Sequence, residues 1–121
     1  MATQITSTNL ESDIADDIVT RLGANCELAF YDATDTELAR CTGGTATKNT
    51  GTAPDSVDLT GLADDTNASA GTVSYATLES ASGVAEIIRF TAPTTDIGLS
   101  GGTFSAGQTV SVSSLAVSVP A

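Results

Sequence analysis

The segment GTVSYATLESASGVAEIIRF, Gly71 to Phe90, decides how the rest of the chain is read. Two apolar runs, Thr72 to Leu78 and Val84 to Phe90, flank the polar linker Glu79 to Gly83. β-Branched and aromatic residues suit a pleated, half-buried surface. A short linker ending in glycine supplies the positive φ that hairpin turns require. The pattern predicts a β-hairpin. In its second run, Val84, Ile88 and Phe90 share one parity while Ala85 and Ile87 take the other. A strand apolar on both faces is normally covered on both, so this run is expected in the middle of a sheet.

Working outward, Leu10, Ile14, Ile18 and Leu22 recur every four residues, and Ala15 and Val19 widen the stripe. That is the apolar face of an amphipathic helix. Thr8 and Glu11 have the spacing of a capping box, Arg21 sits in the last turn, and Gly23 suits the C′ position. A helix is therefore expected over 8–23, with residues 1–7 as a flexible arm. Its apolar face should lie on the sheet, a neighbouring subunit being the alternative cover. Cys26 to Tyr31, the turn at Asp32 to Asp35, and Thr36 to Thr42 read as a second hairpin. A turn centred on Ala33 and Thr34 sets Leu28 opposite Ala39, Glu27 opposite Arg40 and Cys26 opposite Cys41. The opposite charges would support that register.

Gly43 to Ser56 shows no periodicity and contains Pro54, so a long exposed loop is expected there. Val57 to Leu62 alternates weakly, as a strand would. Ile97 to Leu99 and Thr103–Phe104 read as short strand pieces, and Thr109 to Val119 as the longest strand. The apolar phase of that last strand slips at Ser113–Ser114, as one extra residue in a β-bulge would produce. The fold class is thus mainly β: an antiparallel β-sandwich or partly closed barrel of short strands with one N-terminal amphipathic helix. Residues 1–121 read as one domain, its β part spanning 26–119.

The chain carries 15 acidic and 4 basic residues, a net charge of −11, and no His or Trp. Arg21, Arg40, Lys48 and Arg89 are scattered, which argues against nucleic acid and against an anionic membrane surface. The opening residues carry no positive charge and lead into no apolar stretch, so no export signal is expected. Ala, Thr, Ser and Gly supply 62 of the 121 residues, while Leu, Ile, Val and Phe supply 26. So thin a core implies a monomer of marginal stability, about 5 kcal/mol or less, helped by partners.

The inventory for chemistry is short. A serine or cysteine triad lacks its histidine base, and two cysteines cannot close a zinc site. Gly43–Gly44 and Gly101–Gly102 are not followed by the lysine or helix of a phosphate loop. Glycosidase chemistry needs a cleft that usually has aromatic walls, and the chain has five aromatic residues. Acidic turns at Asp32, Asp35 and Glu37 and at Asp64 and Asp65 do not follow the EF-hand pattern and read as solvated. Cys26 and Cys41 read as small buried residues, a cross-strand disulfide being the alternative. No enzyme activity, metal or cofactor is expected.

The order of three stretches resembles small virion structural proteins of tailed phages. Those share a hairpin of the form LxIYDaxGTLLA, a strand and turn of the form GTaxyxrlxdssG, and a terminal strand of the form saGqtvtvssl. The corresponding positions here are Leu28 to Ala39, Gly71 to Gly83 and Ser105 to Leu115. Within that group the chain looks most like a capsid decoration, or cement, protein. The resemblance implies a location on the virion capsid surface, assembly in the host cytoplasm, and the major capsid protein as partner. Closed rings are the usual arrangement of identical subunits, so self-association is also expected, a trimer before a dimer. Candidate assembly contacts are Ile5 in the arm, Leu10, Ile14 and Ile18 on the helix, and Lys48 and Pro54 in the Gly43–Ser56 segment. Two alternatives remain: a head-fibre or tail adhesin module binding a host glycan, which would need exposed aromatic rings, and a tail or connector protein.

Overall fold

The computed structural model describes residues 8–49, 56–80, 86–93, 97, 101–112 and 114–118. Helix α1 (Thr8–Leu22) ends at Gly23, whose φ of 66° lets its N–H donate to the Val19 carbonyl at 3.0 Å. Ala15 and Leu22 are fully buried, and Ile14, Ile18 and Val19 pack beside them half-buried. The apolar stripe therefore faces the sheet of its own chain. The side chains of the expected capping box, Thr8 and Glu11, lie outside the described residues, as does the arm 1–7.

Five of the sheet's strands are β1 (Ala24–Tyr31), β2 (Glu37–Asn49), β3 (Ser56–Thr60), β5 (Tyr75–Glu79) and β6 (Glu86–Phe90). The sixth is β8 (Ser114–Ser118), and the order is β6-β5-β1-β2-β3-β8, antiparallel throughout. A second, two-stranded sheet joins β4 (Gly71–Thr72) to β7 (Thr103–Phe104). The protein is mainly β, with helix α1 over a curled six-stranded sheet.

One face of the large sheet holds the core. Cys26, Leu28 and Phe30 of β1 lie on it beside Leu78 and Ala76 of β5 and Cys41 and Ala39 of β2, all buried. Farther along come Ala46, Leu59, Val57 and Leu115. Helix α1 touches β2, β3 and β6. Phe104 meets Phe30 edge to face, with ring centroids 5.8 Å apart. Full burial of each large side chain, Phe30, Leu22, Leu28, Leu59, Leu78 and Val57, contributes about 1.5–3 kcal/mol.

Several expectations are corrected. The run ending at Phe90 is not central: β6 is an edge strand with exposed Glu86 and Arg89. A bulge between the pairs Leu78–Ile88 and Glu79–Glu86 lets the adjacent Ile87 and Ile88 both pack on the core. Their mixed parity records that bulge, not two covered faces. The first run is also split. Gly71–Thr72 pairs with β7, and the chain crosses to the large sheet at Val73 and Ser74, whose N–H groups donate to Gly102 and Tyr31 carbonyls at 2.7 Å each. The hairpin of β5 and β6 does form, though its linker residues 81–85 lie outside the described residues.

Gly43 to Asn49 is strand, not loop, and it pairs with β3 from Thr45–Thr60 to Asn49–Ser56. Threonine and alanine alternation there was masked by glycine. Residues 50–55, with Pro54, lie outside the described residues. The register of β1 on β2 is shifted by two from the expected one: Leu28 faces Cys41 and Ala29 faces Arg40. The turn is centred as expected, with the Asp35 N–H donating to the Asp32 carbonyl at 3.2 Å, but Asp35 then takes φ 64° and adds a residue. A second irregularity between Phe30 and Tyr31 adds another. Cys26 consequently faces Gly44, and both cysteines are free and buried. The long terminal strand is broken too. Val110 makes an isolated bridge to Asp65, and β8 begins at Ser114; Ser113, where the bulge was expected, lies outside the described residues. Ile97 lies in a turn, its N–H donating to the Pro93 carbonyl at 3.0 Å.

Two outcomes follow. A Cβ at Gly44 would sit 2.7 Å from Leu62 Cδ2 and 3.2 Å from the Cys26 carbonyl oxygen. Gly44→Ala should destabilise by about 1–3 kcal/mol in urea titration through overpacking; wild-type stability would show that this approach is not so close. Burial pushes both thiols above their ordinary value. Their contribution to stability is therefore present below about pH 9 and lost as pH rises through the folded values. Melting temperature should fall above pH 9, less so in Cys26→Ala, and neither thiol should react with an aromatic disulfide reagent until the chain unfolds.

Candidate functional site

The opposite face of the sheet is polar, and its groups converge because their strands share one parity there. Glu27, Ala29 and Tyr31 of β1 lie opposite Glu79, Thr77 and Tyr75 of β5, and Ala29 also faces Arg40 of β2. Thr77 in turn faces Arg89 of β6. Four neighbouring strands thus raise their polar side chains into one patch.

Arg40 is its hub. Its Nη1 donates to Glu27 at 2.7 Å and to Glu79 at 3.1 Å, while Nε and Nη2 both reach Glu37. Nη2 also donates to the Tyr31 hydroxyl at 3.3 Å. The Glu79 side chain is only 8% exposed, so its charge requires this partner. Glu79 further accepts from the hydroxyls of Tyr31 and Thr77. Burial would lower the Arg40 pKa, but the hydrogen bonds to Glu37, Glu27 and Glu79 outweigh it and hold the guanidinium above its ordinary value. The expected Glu27–Arg40 contact therefore exists, formed diagonally across the shifted register.

Beside the hub stands a row of planar groups. Tyr31 and Tyr75 stack with centroids 5.1 Å apart and planes 12° from parallel. The Arg89 guanidinium lies 4.4 Å over the Tyr75 ring and is itself held by Glu86 at 2.7 Å. The Tyr75 hydroxyl donates to Asp35 at 2.7 Å. That hydrogen bond raises the Tyr75 pKa, and burial with the adjacent Glu79 raises that of Tyr31. The hydrogen bonds from Arg89 lower that of Glu86. An open pocket of about 240 Å³ lies among Tyr31, Tyr75, Thr77, Glu79, Glu86 and Arg89. It can admit a small polar or cationic group. Sequence reading placed Glu79 in a linker and treated the tyrosines as separate strand residues. The signal that would have joined them is the common spacing of Glu27, Ala29, Tyr31 and of Tyr75, Thr77, Glu79.

The acidic turns are occupied internally. Asp32 Oδ1 accepts from the Thr36 and Thr34 N–H groups at 3.0 and 2.8 Å and from the Thr34 hydroxyl, which lowers its pKa. Asp65 accepts from the N–H groups of Arg40 and Asn67 at 2.9 and 2.8 Å.

Of the six candidate assembly contacts, Ile5 and Pro54 lie outside the described residues, as does the side chain of Leu10. Ile14 and Ile18 pack half-buried on the core of their own chain. Lys48 Nζ lies 3.1 Å from Asp16 and ties β2 to α1. The structure does not bring these residues into one exposed patch among the described residues. No family model, curated protein or solved structure matches the chain.

Arg40→Met should cost about 3–5 kcal/mol at pH 7, because it strands the carboxylates of Glu79 and Glu27 without their cation. Urea titration reads this; wild-type stability in Arg40→Met would show that the carboxylates do not depend on the arginine.

Proposed function

We propose that the chain is a virion structural protein of a tailed phage, a decoration protein that binds the outer surface of the head and reinforces it. One observation carries this reading. The three stretches in which the resemblance lies contribute to one core. Leu28 to Tyr31 of β1 and the start of β2 come from the first, and β5 from the second, which pairs with the first from Leu28–Leu78 to Tyr31–Tyr75. The third supplies Val110, Val112 and Leu115, which lie in the same buried cluster as Leu28, Phe30, Leu38, Ala76 and Leu78. A likeness of composition alone would have no reason to fall on residues that share one core.

The thin, small-residue core supports the same reading, since a partner that binds only the folded form adds stability by mass action. The acidic exterior disfavours indiscriminate contact between free copies. The glycan-binding alternative draws on the Tyr31–Tyr75 pair, but neighbours already cover the Tyr75 ring: Tyr31 and the Arg89 guanidinium.

Quantitative mass spectrometry of virions separated into heads and tails tests the proposal. A decoration protein should copurify with heads in large multiples of the capsid symmetry. A few copies confined to tails would replace it with the tail or connector reading, and absence from virions would overturn it.

A further inference from the structure

The two edges of the large sheet differ in kind. Strand β6 carries Glu86 and Arg89, paired at 2.7 Å on its exposed side. Charges on an edge strand discourage pairing with another chain. Strand β8 reads Ser114-Leu115-Ala116-Val117-Ser118. It is the one strand of the six that holds no charged residue. Its inner edge is bonded to β3, and among the described residues its outer edge has no strand beside it.

The β8 sequence is also nearly palindromic. An antiparallel pair of such strands centred on Ala116 sets Ala116 against Ala116, Leu115 against Val117, and Ser114 against Ser118. A twofold interface requires a surface that matches itself, and this register does so at every position. Leu115 is buried on the core face, whereas Val117 is half-buried and Ala116 exposed on the polar face. In such a pair each half-buried Val117 would gain the Leu115 of the other copy as its neighbour.

Charge favours this meeting point in a chain of net charge −11. The acidic residue nearest the axis along the register is Asp58, directly opposite Ala116 on β3. In the pair, two Asp58 positions would be three strand spacings apart, about 14 Å. That exceeds the Debye length of about 8 Å at physiological ionic strength, so their repulsion is screened.

We propose that β8 is a self-association edge: two copies of this chain join antiparallel strands β8 about a twofold axis at Ala116 to form one continuous twelve-stranded sheet. The contact makes pairs, in place of the trimer favoured by the sequence reading. It holds whether or not the protein resides on a phage head, since it concerns the purified chain alone.

The test uses the full chain and two charge variants at the exposed Ala116, Ala116→Glu and Ala116→Lys. Light scattering should give the wild type twice the 12.1 kDa chain mass at about 100 µM, where affinities of micromolar order are read out. Each variant alone should give the mass of one chain, because like charges face each other across the axis. An equimolar mixture of the two should regain the doubled mass. Circular dichroism melts check that each variant is folded. A wild type at single-chain mass, or an Ala116→Glu variant that still doubles, overturns the proposal. It is equally overturned if the chain doubles only after residues 1–7 are removed, since the arm would then be the occupant of the edge.

Discussion

Strand β2 runs for 13 residues, and its two halves have different neighbours along one edge. The second half, from Thr45, is bonded to β3. The first half is bonded to a segment without strand character: Ala63 and Ser69 donate N–H groups to the Thr42 and Leu38 carbonyls, each at 2.8 Å. The Arg40 N–H donates to the Asp65 carboxylate. Between the halves stands Gly43 with φ 74°. A left-handed residue inside a strand is a bulge, and glycine takes it without steric cost. Opposite it, β1 has its own irregularity around Asn25, φ 60°, and the two insertions bring the ladder from Leu28–Cys41 to Ala24–Thr45. The bend lets one strand serve both ends of a curled sheet while its backbone groups remain paired, as buried backbone requires.

That bend decides what covers the core. Because β3 leaves β2 at Thr45, the residues after Thr60 are free to fold back over the face that holds Cys41 and Phe30. They bring Leu62 and Ala68, and the later residues Phe104 of β7, Val110 and Val112 follow into the same cluster. The helix covers the other end, fixed by Ala15 and Leu22 and by the Lys48–Asp16 ion pair. The core is small because most of its members are alanine, valine or cysteine. It is closed by close approach, as at Gly44 and at Gly71, where Leu38 fills the space a side chain would take.

The polar face balances a different set of forces. Arg40 brings three carboxylates together on a sheet whose other face has no room for them, and the chain has only four cations for 15 acidic residues. Two of those cations, Arg40 and Arg89, stand on this one patch. The surface beyond it is left strongly acidic, which disfavours indiscriminate contact between copies. The uncharged β8 is the exception at the sheet's end, and its contrast with the charged β6 is what gives the molecule two unlike edges.

The sequence by itself determined the class of fold, because periodicity and turn chemistry are local. Helix α1 and its glycine end, the strand Val57 to Thr60, and the two hairpins were all legible from spacing alone. The site was legible only in fragments: the Glu27–Arg40 attraction was visible, and the joining of Glu37, Glu79 and Tyr31 to it was not. Which residues meet across strands depends on register, and register was set by insertions that local patterning does not reveal, at Asp35, between Phe30 and Tyr31, and at Ile87. Each adds one residue to one strand and so changes the pairings beyond it, whereas the irregularities at Asn25 and Gly43 lie on opposite strands and offset each other. Sheet order was likewise a tertiary decision. Apolar residues on both parities of Ile87 and Ile88 looked central, and only the three-dimensional ladder showed an edge strand turned by a bulge.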